Sequence, residues 1–455
     1  MSAVAPPIGA VARRSRALAS AHVRRLATAR AGTVVATLVV VGAGMAFAGY
    51  RVWQAAAGPP IVWSDSLDYA RSAIWAGSRP PLAPMLLAAS PTFGWFVAFQ
   101  TAFALVAWGA LAWAVAAHVP SRFRSAAVVI VLAFGSTTAV VRWDRSVLTE
   151  SLSMSCVALL LAALLCGFDR TTWPRVVALV TAAALFGAAR DTDVWIVWAL
   201  AIAVAVETVV SRRGARGFVA ALALAACAGA LLGGSLAADR TEPNVEHVYF
   251  VRVFPYPDRV DWFAAHGMPD AGVVREYAAD ASPRRGAAPV VGIDHNDTRV
   301  PALVRWLHEE GASTYLRWVL EHPAYLLTEP MQRPERAYNF GQGSLVGYSG
   351  PERTELGPVD ALLSPAASIV LVAAAAACAV FVCCRRRRTT GARVALLFCV
   401  LGLAHMLVAW HGDGMETTRH AAVGNVQARL GVVVLVVLAC AELGGRRRGH
   451  TAGIE

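Results

Sequence analysis

Apolar residues in this chain gather into long runs separated by short polar clusters. The runs begin near Ala31, Phe93, Ala126, Val147, Val176, Val194, Phe218, Ala366, Val394 and Ala421. A helix needs about 20 mostly apolar residues to cross a bilayer. Gly, Ser and Thr interrupt several runs, which membrane helices tolerate. The pattern predicts an all-α polytopic membrane protein with about ten transmembrane helices. Residues 1–30 are expected to form a basic cytoplasmic N-terminus. A transmembrane region follows over 31–238, with an outer loop at 51–92. An extracytoplasmic segment over 239–360 leads to a second transmembrane region at 361–445 and a cytoplasmic tail at 446–455. The long segment is the one place for a small domain outside the membrane. Within it, Leu303, Trp306, Leu307, Leu316, Val319 and Leu320 recur at helical spacing over Ala302 to Leu327, and Pro323 should break that helix after His322.

Charge sets the threading. With the N-terminus in the cytoplasm, Arg122 and Arg124, Arg170 and Arg175, Arg212, Arg213 and Arg216, Arg385 to Arg388, and Arg446 to Arg448 all fall inside, as the positive-inside rule asks. The expected location is therefore a cell membrane, spanned many times, with both termini cytoplasmic. The apolar stretch ending at Ala46-Phe47-Ala48 imitates a signal peptide. An uncleaved first span is preferred because the later spans then thread consistently. The net charge of +11 comes from arginines placed at run ends as topology signals. No basic patch with interleaved aromatics appears, so no nucleic-acid partner is expected. Eight cysteines lie in or beside the runs and none in the long polar segment, so no disulfide framework is expected there.

Carboxylates near membrane boundaries gather on the outer side in this threading. The first outer loop carries Asp65 and Asp68, the second Arg142, Asp144, Arg145 and Glu150, the third Arg190, Asp191 and Asp193. The last carries His411, Asp413, Glu416, Arg419 and His420. Ionisable groups at such depths are costly and often functional. Asp65, Asp68 and Tyr69 are spaced i, i+3, i+4, so a helix would bring their side chains together. Leu67, Ala70 and Ile74 would form its apolar face, and the helix would lie in the interface. The same residues also read as ordinary capping, with Ser64 or Asp65 at the N-cap and Asp68 in the first turn. Arg190 and Arg419 suit phosphate, which guanidinium binds in a bidentate fashion. They equally suit local ion pairs, Arg190 with Asp191 or Asp193 and Arg419 with Glu416. His411, Asp413, Glu416 and His420 offer a divalent-metal reading, but without a recognised signature, and no cofactor is expected. Trp262, Trp306 and Trp318 in the long segment offer flat surfaces for sugar rings or for interface anchoring.

The stretch Trp63-Ser64-Asp65-Ser66-Leu67-Asp68-Tyr69, followed by Gly77 to Pro84, resembles the first periplasmic loop of GT-C glycosyltransferases. That superfamily includes protein O-mannosyltransferases and the lipid A aminoarabinose transferase. Asp65 and Tyr69 match an acid and a Tyr four residues later, and Gly77 to Pro84 matches a Gly/Pro-rich stretch. Ser66 departs from the pattern, because many members carry a second acid there. Thr149-Glu150 and the segment Gly412 to His420 are similar to further outer-side motifs of these proteins.

The resemblance implies a GT-C-like fold. It also implies a polyprenyl-phosphate sugar donor, membrane lipids around the site, and an envelope glycan, lipid or protein as acceptor. On this reading Asp65, Asp68 and Glu150 form the catalytic set, with Asp65 as base. Tyr69, Arg190, Glu416, Arg419 and His420 bind substrate. Two other classes fit the pattern: a transporter or flippase of lipid-linked saccharide, and a non-catalytic envelope scaffold. A transporter would favour ionisable groups near the midplane and repeated halves, and no repeat is visible.

Overall fold

The computed structural model describes residues 33–74, 77, 79–169, 172–211, 214–237, 242–280, 300–332, 373–374, 377, 390–412, 414 and 417–446. The described chain is helical, and its one β feature is an isolated bridge between Ile61 and Ser146. Among the described residues, seven helices are long and apolar enough to cross a membrane, the architecture of a polytopic membrane protein. They are α1 (Thr33–Ala56), α4 (Phe93–Ala117), α7 (Glu150–Asp169), α9 (Asp191–Val210), α10 (Ala215–Ala237), α17 (Thr390–Gly412) and α18 (Thr417–Arg446). Helix α8 (Trp173–Ala189) is also apolar, and its 17 residues sit at the lower limit of about 17 for a span. The run near Ala366 falls almost wholly outside the described residues.

The run near Ala126 behaves differently. It forms α5 (Arg124–Gly135) and the four-residue α6 (Thr138–Val141), broken at Ser136 and Thr137. Twelve helical residues reach only about 18 Å. The chain then continues to Glu150 in turns. This stretch was expected as an outer loop, yet Trp143, Asp144, Ser146, Val147, Leu148 and Thr149 are all buried. Irregular backbone survives at membrane depth only when protein encloses it. Here Gln100 of α4 donates to the carbonyls of Asp144 (2.6 Å) and Ser146 (3.0 Å). Asp144 is paired with Arg51, so it belongs to the scaffold. Arg51 itself lies within α1, not in the first outer loop, which starts after Ala56.

Packing places α7 at the centre. Val157, Leu160, Leu161 and Leu164 are fully enclosed, against α4, α8, α17 and α18. Helices α17 and α18 form an antiparallel hairpin with near-touching backbones. A Cβ at Gly402 would lie 2.4 Å from the Ala428 amide nitrogen, and one at Gly424 2.9 Å from that of Met406. Close backbone approach through small residues is how helices associate in lipid, where no hydrophobic force distinguishes helix from tail. The end of α1, the starts of α4, α7, α9 and α18, and the ends of α8, α10 and α17 all lie at one end of the bundle, the site end.

A helical subdomain follows α10: α11 (Glu242–Val248), a π-turn at Tyr249–Val253, α12 (Pro257–Ala265), α13 (Ala271–Asp280), α14 (Pro301–Trp306), a second π-turn at Leu307–Gly311, α15 (Ala312–Glu321) and α16 (Pro323–Gln332). Pro323 breaks the helix at His322, as its fixed φ and missing N–H dictate. The subdomain has its own aromatic core of Tyr249, Phe254, Phe263, Trp306 and Trp318. Trp306 and Trp318 are therefore core residues, and Trp262 is partly buried against the same cluster.

Candidate functional site

Five segments deliver side chains to the site end: α2, the stretch with Arg79, and the starts of α7, α9 and α18. Helix α2 (Ser64–Arg71) turns Ser66 and Tyr69 inward and leaves Leu67, Asp68 and Ala70 exposed. A soluble helix would bury its leucine instead. Outward Leu67 and Ala70 suit a helix lying at an interface. Ser66 explains why a second acid would not fit. Its Oγ donates to the Val147 carbonyl (2.7 Å) and accepts from the Trp63 N–H (3.0 Å). Two backbone hydrogen bonds add to the same seam, from the Ile61 N–H to the Arg145 carbonyl (2.9 Å) and from the Val147 N–H to the Ile61 carbonyl (3.0 Å). A carboxylate at position 66 would face the Val147 carbonyl oxygen. Ser66→Ala, which leaves the Trp63 amide and the Val147 carbonyl short of a partner, is expected to lower stability by about 1–3 kcal/mol, read from thermal melting.

The charged residues form one alternating chain. Asp68 meets Arg79 at 2.8 Å, and Arg79 meets Asp65 at 2.8 Å. Asp65 meets Arg419 at 2.6 Å, and Arg419 meets Glu150 at 2.7 Å. Glu150 lies 3.8 Å from Arg190, whose Nη2 donates to His420 Nδ1 at 2.8 Å. Three carboxylates thus balance three guanidinium groups. The chain runs from exposed Asp68 to fully buried Glu150, so its electrostatic strength grows inward as water is excluded.

Helix ends sharpen this picture. Glu150 opens α7, where the helix dipole favours an anion. Arg190 is the N-cap of α9, and Arg419 and His420 lie in the first turn of α18. The dipole disfavours cations at both places. Their carboxylate partners compensate for it, so these arginines are held by the site and not by their own helices. Two atoms remain uncommitted. Glu150 Oε2 and Arg190 Nη1 are buried and hydrogen-bond to nothing among the described residues. Tyr69 lies beneath the chain, with the Arg79 guanidinium over its ring at 5.4 Å. Burial pushes its phenol above the ordinary range, Arg419 opposes this, and Glu150 and Asp65 add to it. The phenol therefore stays a proton donor at neutral pH.

The structure brings Asp65, Asp68, Tyr69, Glu150, Arg190, Arg419 and His420 into this assembly; Glu416 and Asp413 lie outside the described residues. The local ion pairs weighed for Arg190 and Arg419 give way to long-range ones. Asp193 instead accepts from Ser153 (2.5 Å) and lies 3.1 Å from His405 Nε2, inside the bundle. The metal set is divided. His411 engages Tyr315 and the Leu326 carbonyl, while His420 engages Arg190. Among the described residues no group of three or more metal-ligating side chains converges.

Arg79 is the member that sequence reading did not assign. Its signal was present, an arginine in a Gly/Pro-rich stretch after two acids one helical turn apart. Compared with known proteins, the chain matches no family model, no curated protein and no solved structure.

Proposed function

We propose that this protein is a membrane glycosyltransferase with a GT-C-like architecture. It moves a sugar from a polyprenyl-phosphate donor to an envelope acceptor on the extracytoplasmic side. The observation that carries the reading is the alternating Asp65–Arg419–Glu150–Arg190 chain at the ends of apolar helices. A lipid-phosphate leaving group needs positive charge as its bond to the sugar breaks. Guanidinium supplies planar, paired donors for phosphate oxygens, and Arg190 Nη1 has no other partner among the described residues.

The acceptor hydroxyl is a poor nucleophile near neutral pH and needs a base as the new bond forms. Both Asp65 oxygens are engaged, one by Arg79 and one by Arg419. Donor phosphate competes for Arg419. When Arg419 turns to the phosphate, one Asp65 oxygen is released to take the hydroxyl proton. Binding of the donor thereby arms the base. Glu150 keeps Arg419 and Arg190 in register, and Asp68 with Arg79 holds the outer rim.

The test compares wild type with Asp65→Asn, an isostere that keeps hydrogen bonding and cannot take the proton. Matched amounts of purified protein are incubated with radiolabelled polyprenyl-phosphate sugars and an envelope extract. Loss of a general base is expected to slow label transfer by about 10²–10⁴-fold. Equal transfer by both proteins would remove Asp65 from the mechanism. Absence of transfer by wild type across a panel of donors would count against the enzyme reading itself.

A further inference from the structure

The helical subdomain grips the turn that carries Arg419. Arg252, on the π-turn Tyr249–Val253, is almost fully buried, and its guanidinium lies 4.0 Å over the Trp410 ring. Its Nη2 donates to Thr417 Oγ1 at 3.2 Å. Trp410 is near the end of α17 and Thr417 is the first residue of α18. One side chain thus holds both arms of the hairpin. The grip is braced from behind: Glu329 lies 4.0 Å from Arg252 and 3.1 Å from Arg259, and Arg259 donates to the Arg252 carbonyl.

Two further contacts fix the same turn. Gly414 lies so near α11 that a Cβ there would sit 1.9 Å from the His247 carbonyl oxygen. His411 Nε2 donates to the Leu326 carbonyl (3.1 Å), so its Nδ1 accepts from Tyr315 (3.0 Å). A buried Arg–Glu–Arg group is a poor source of net stability, and its best-attested use is to set register. Thr417 is two residues from Arg419. The direction of the Arg419 side chain is set by the first turn of α18, and Arg252 is bonded to that turn.

We propose that Arg252 is a positioning residue, through which the subdomain sets Arg419 between Asp65 and Glu150. Subdomain docking and assembly of the charged chain are then one event. Only the activity arm of the test rests on the glycosyltransferase reading.

Full-length protein in lipid nanodiscs is compared as wild type, Arg252→Met, Arg252→Lys, Thr417→Val and the Arg252→Met/Thr417→Val pair. Methionine keeps apolar packing on Trp410 and removes every donor. Thr417→Val removes the acceptor, together with a longer hydroxyl bond to the Gly414 carbonyl (3.4 Å), and leaves the subdomain itself intact. Amide exchange is read at Ala421 to Gly424, the first internally bonded turn of α18, with α7 as reference. One lost hydrogen bond is expected to speed that exchange by about tenfold, with α7 unchanged. The double variant should fall short of the sum of the two single effects, because both changes remove the shared contact. With labelled donor, Arg252→Met should raise the donor KM and lower kcat, and Arg252→Lys should restore part of both.

Unchanged exchange at Ala421 to Gly424 in both single variants would overturn the proposal, as would strictly additive effects in the double. If exchange rises while wild type transfers no label, the coupling stands and the glycosyltransferase reading falls. If exchange rises and the donor KM and kcat stay those of wild type, the coupling does not reach Arg419 and the proposal fails.

Discussion

Arg419→Met is expected, on the proposed glycosyltransferase function, to cut sugar transfer by at least about 10²-fold, the cost of removing one preorganised charge-stabilising group from a transition state. The same change should reduce stability by about 3–5 kcal/mol, because it strips a buried carboxylate of its partner. The second effect falls on Glu150, which is fully enclosed and would keep only Arg190 at 3.8 Å. Asp65 would suffer less, since it is partly exposed and retains Arg79. Arg419→Lys should rescue little, because one ammonium cannot meet Asp65 and Glu150 along the two directions that Nη1 and Nε now serve. The pair Arg419→Met/Glu150→Gln separates the two effects. Neutralising Glu150 should return most of the lost melting temperature and none of the transfer. Recovery of transfer in that pair would show that Arg419 acts only by neutralising Glu150.

The second large effect is structural. Arg51→Met is expected to destabilise the bundle by about 3–5 kcal/mol, the usual cost of orphaning one member of a buried ion pair. Arg51 Nε donates to Asp144 Oδ2 at 2.9 Å, and Nη2 binds the other carboxylate oxygen. Arg51 Nη1 also donates to the Gly135 carbonyl at 3.1 Å, just before the break between α5 and α6. Asp144 in turn accepts from Ser151 in the first turn of α7 (2.9 Å). One guanidinium therefore joins α1 to the broken segment and, through Asp144, to α7. Without it an enclosed carboxylate would lose both of its guanidinium bonds. Removing both charges in Arg51→Met/Asp144→Leu should recover most of the stability, as apolar replacement of buried pairs often does. Melting followed by tryptophan fluorescence in detergent, with monodispersity by size exclusion, reads both proteins. Equal stability of wild type and Arg51→Met would show that Asp144 is neutral in the folded state.

The parts of the site that were legible from sequence share one feature: each is a charge placed where a membrane protein would avoid one without cause. Glu150, Arg190 and Arg419 stand at the ends of apolar runs, and that position marks them; Asp65 is marked by its spacing with Asp68 and Tyr69 in the loop after the first run. Asp193 and Asp144 carry the same mark, yet they serve the scaffold, Asp193 bonded by Ser153 beside His405 and Asp144 paired with Arg51. Nothing local distinguishes the two groups, because the difference lies in the partner. Arg79 was passed over for the converse reason. Its stretch reads as a turn, and its importance comes from two acids on a neighbouring helix. The break in the run near Ala126 was equally hidden. Val128 to Val131 is as apolar as any span, and only the enclosing wall formed by α4, α7 and α1 makes an irregular backbone affordable there.

Sequence by itself determined the apolar helices, the alternation of their ends, the break at Pro323 and the end of the bundle at which charge collects. These are local, additive properties: hydrophobicity sums over a window, and proline acts on its own backbone. Tertiary structure alone decided which charges meet. Asp65 and Arg419 are 354 positions apart, and the energy of an ion pair falls with distance and rises with exclusion of water. Both quantities exist only once the helices have packed.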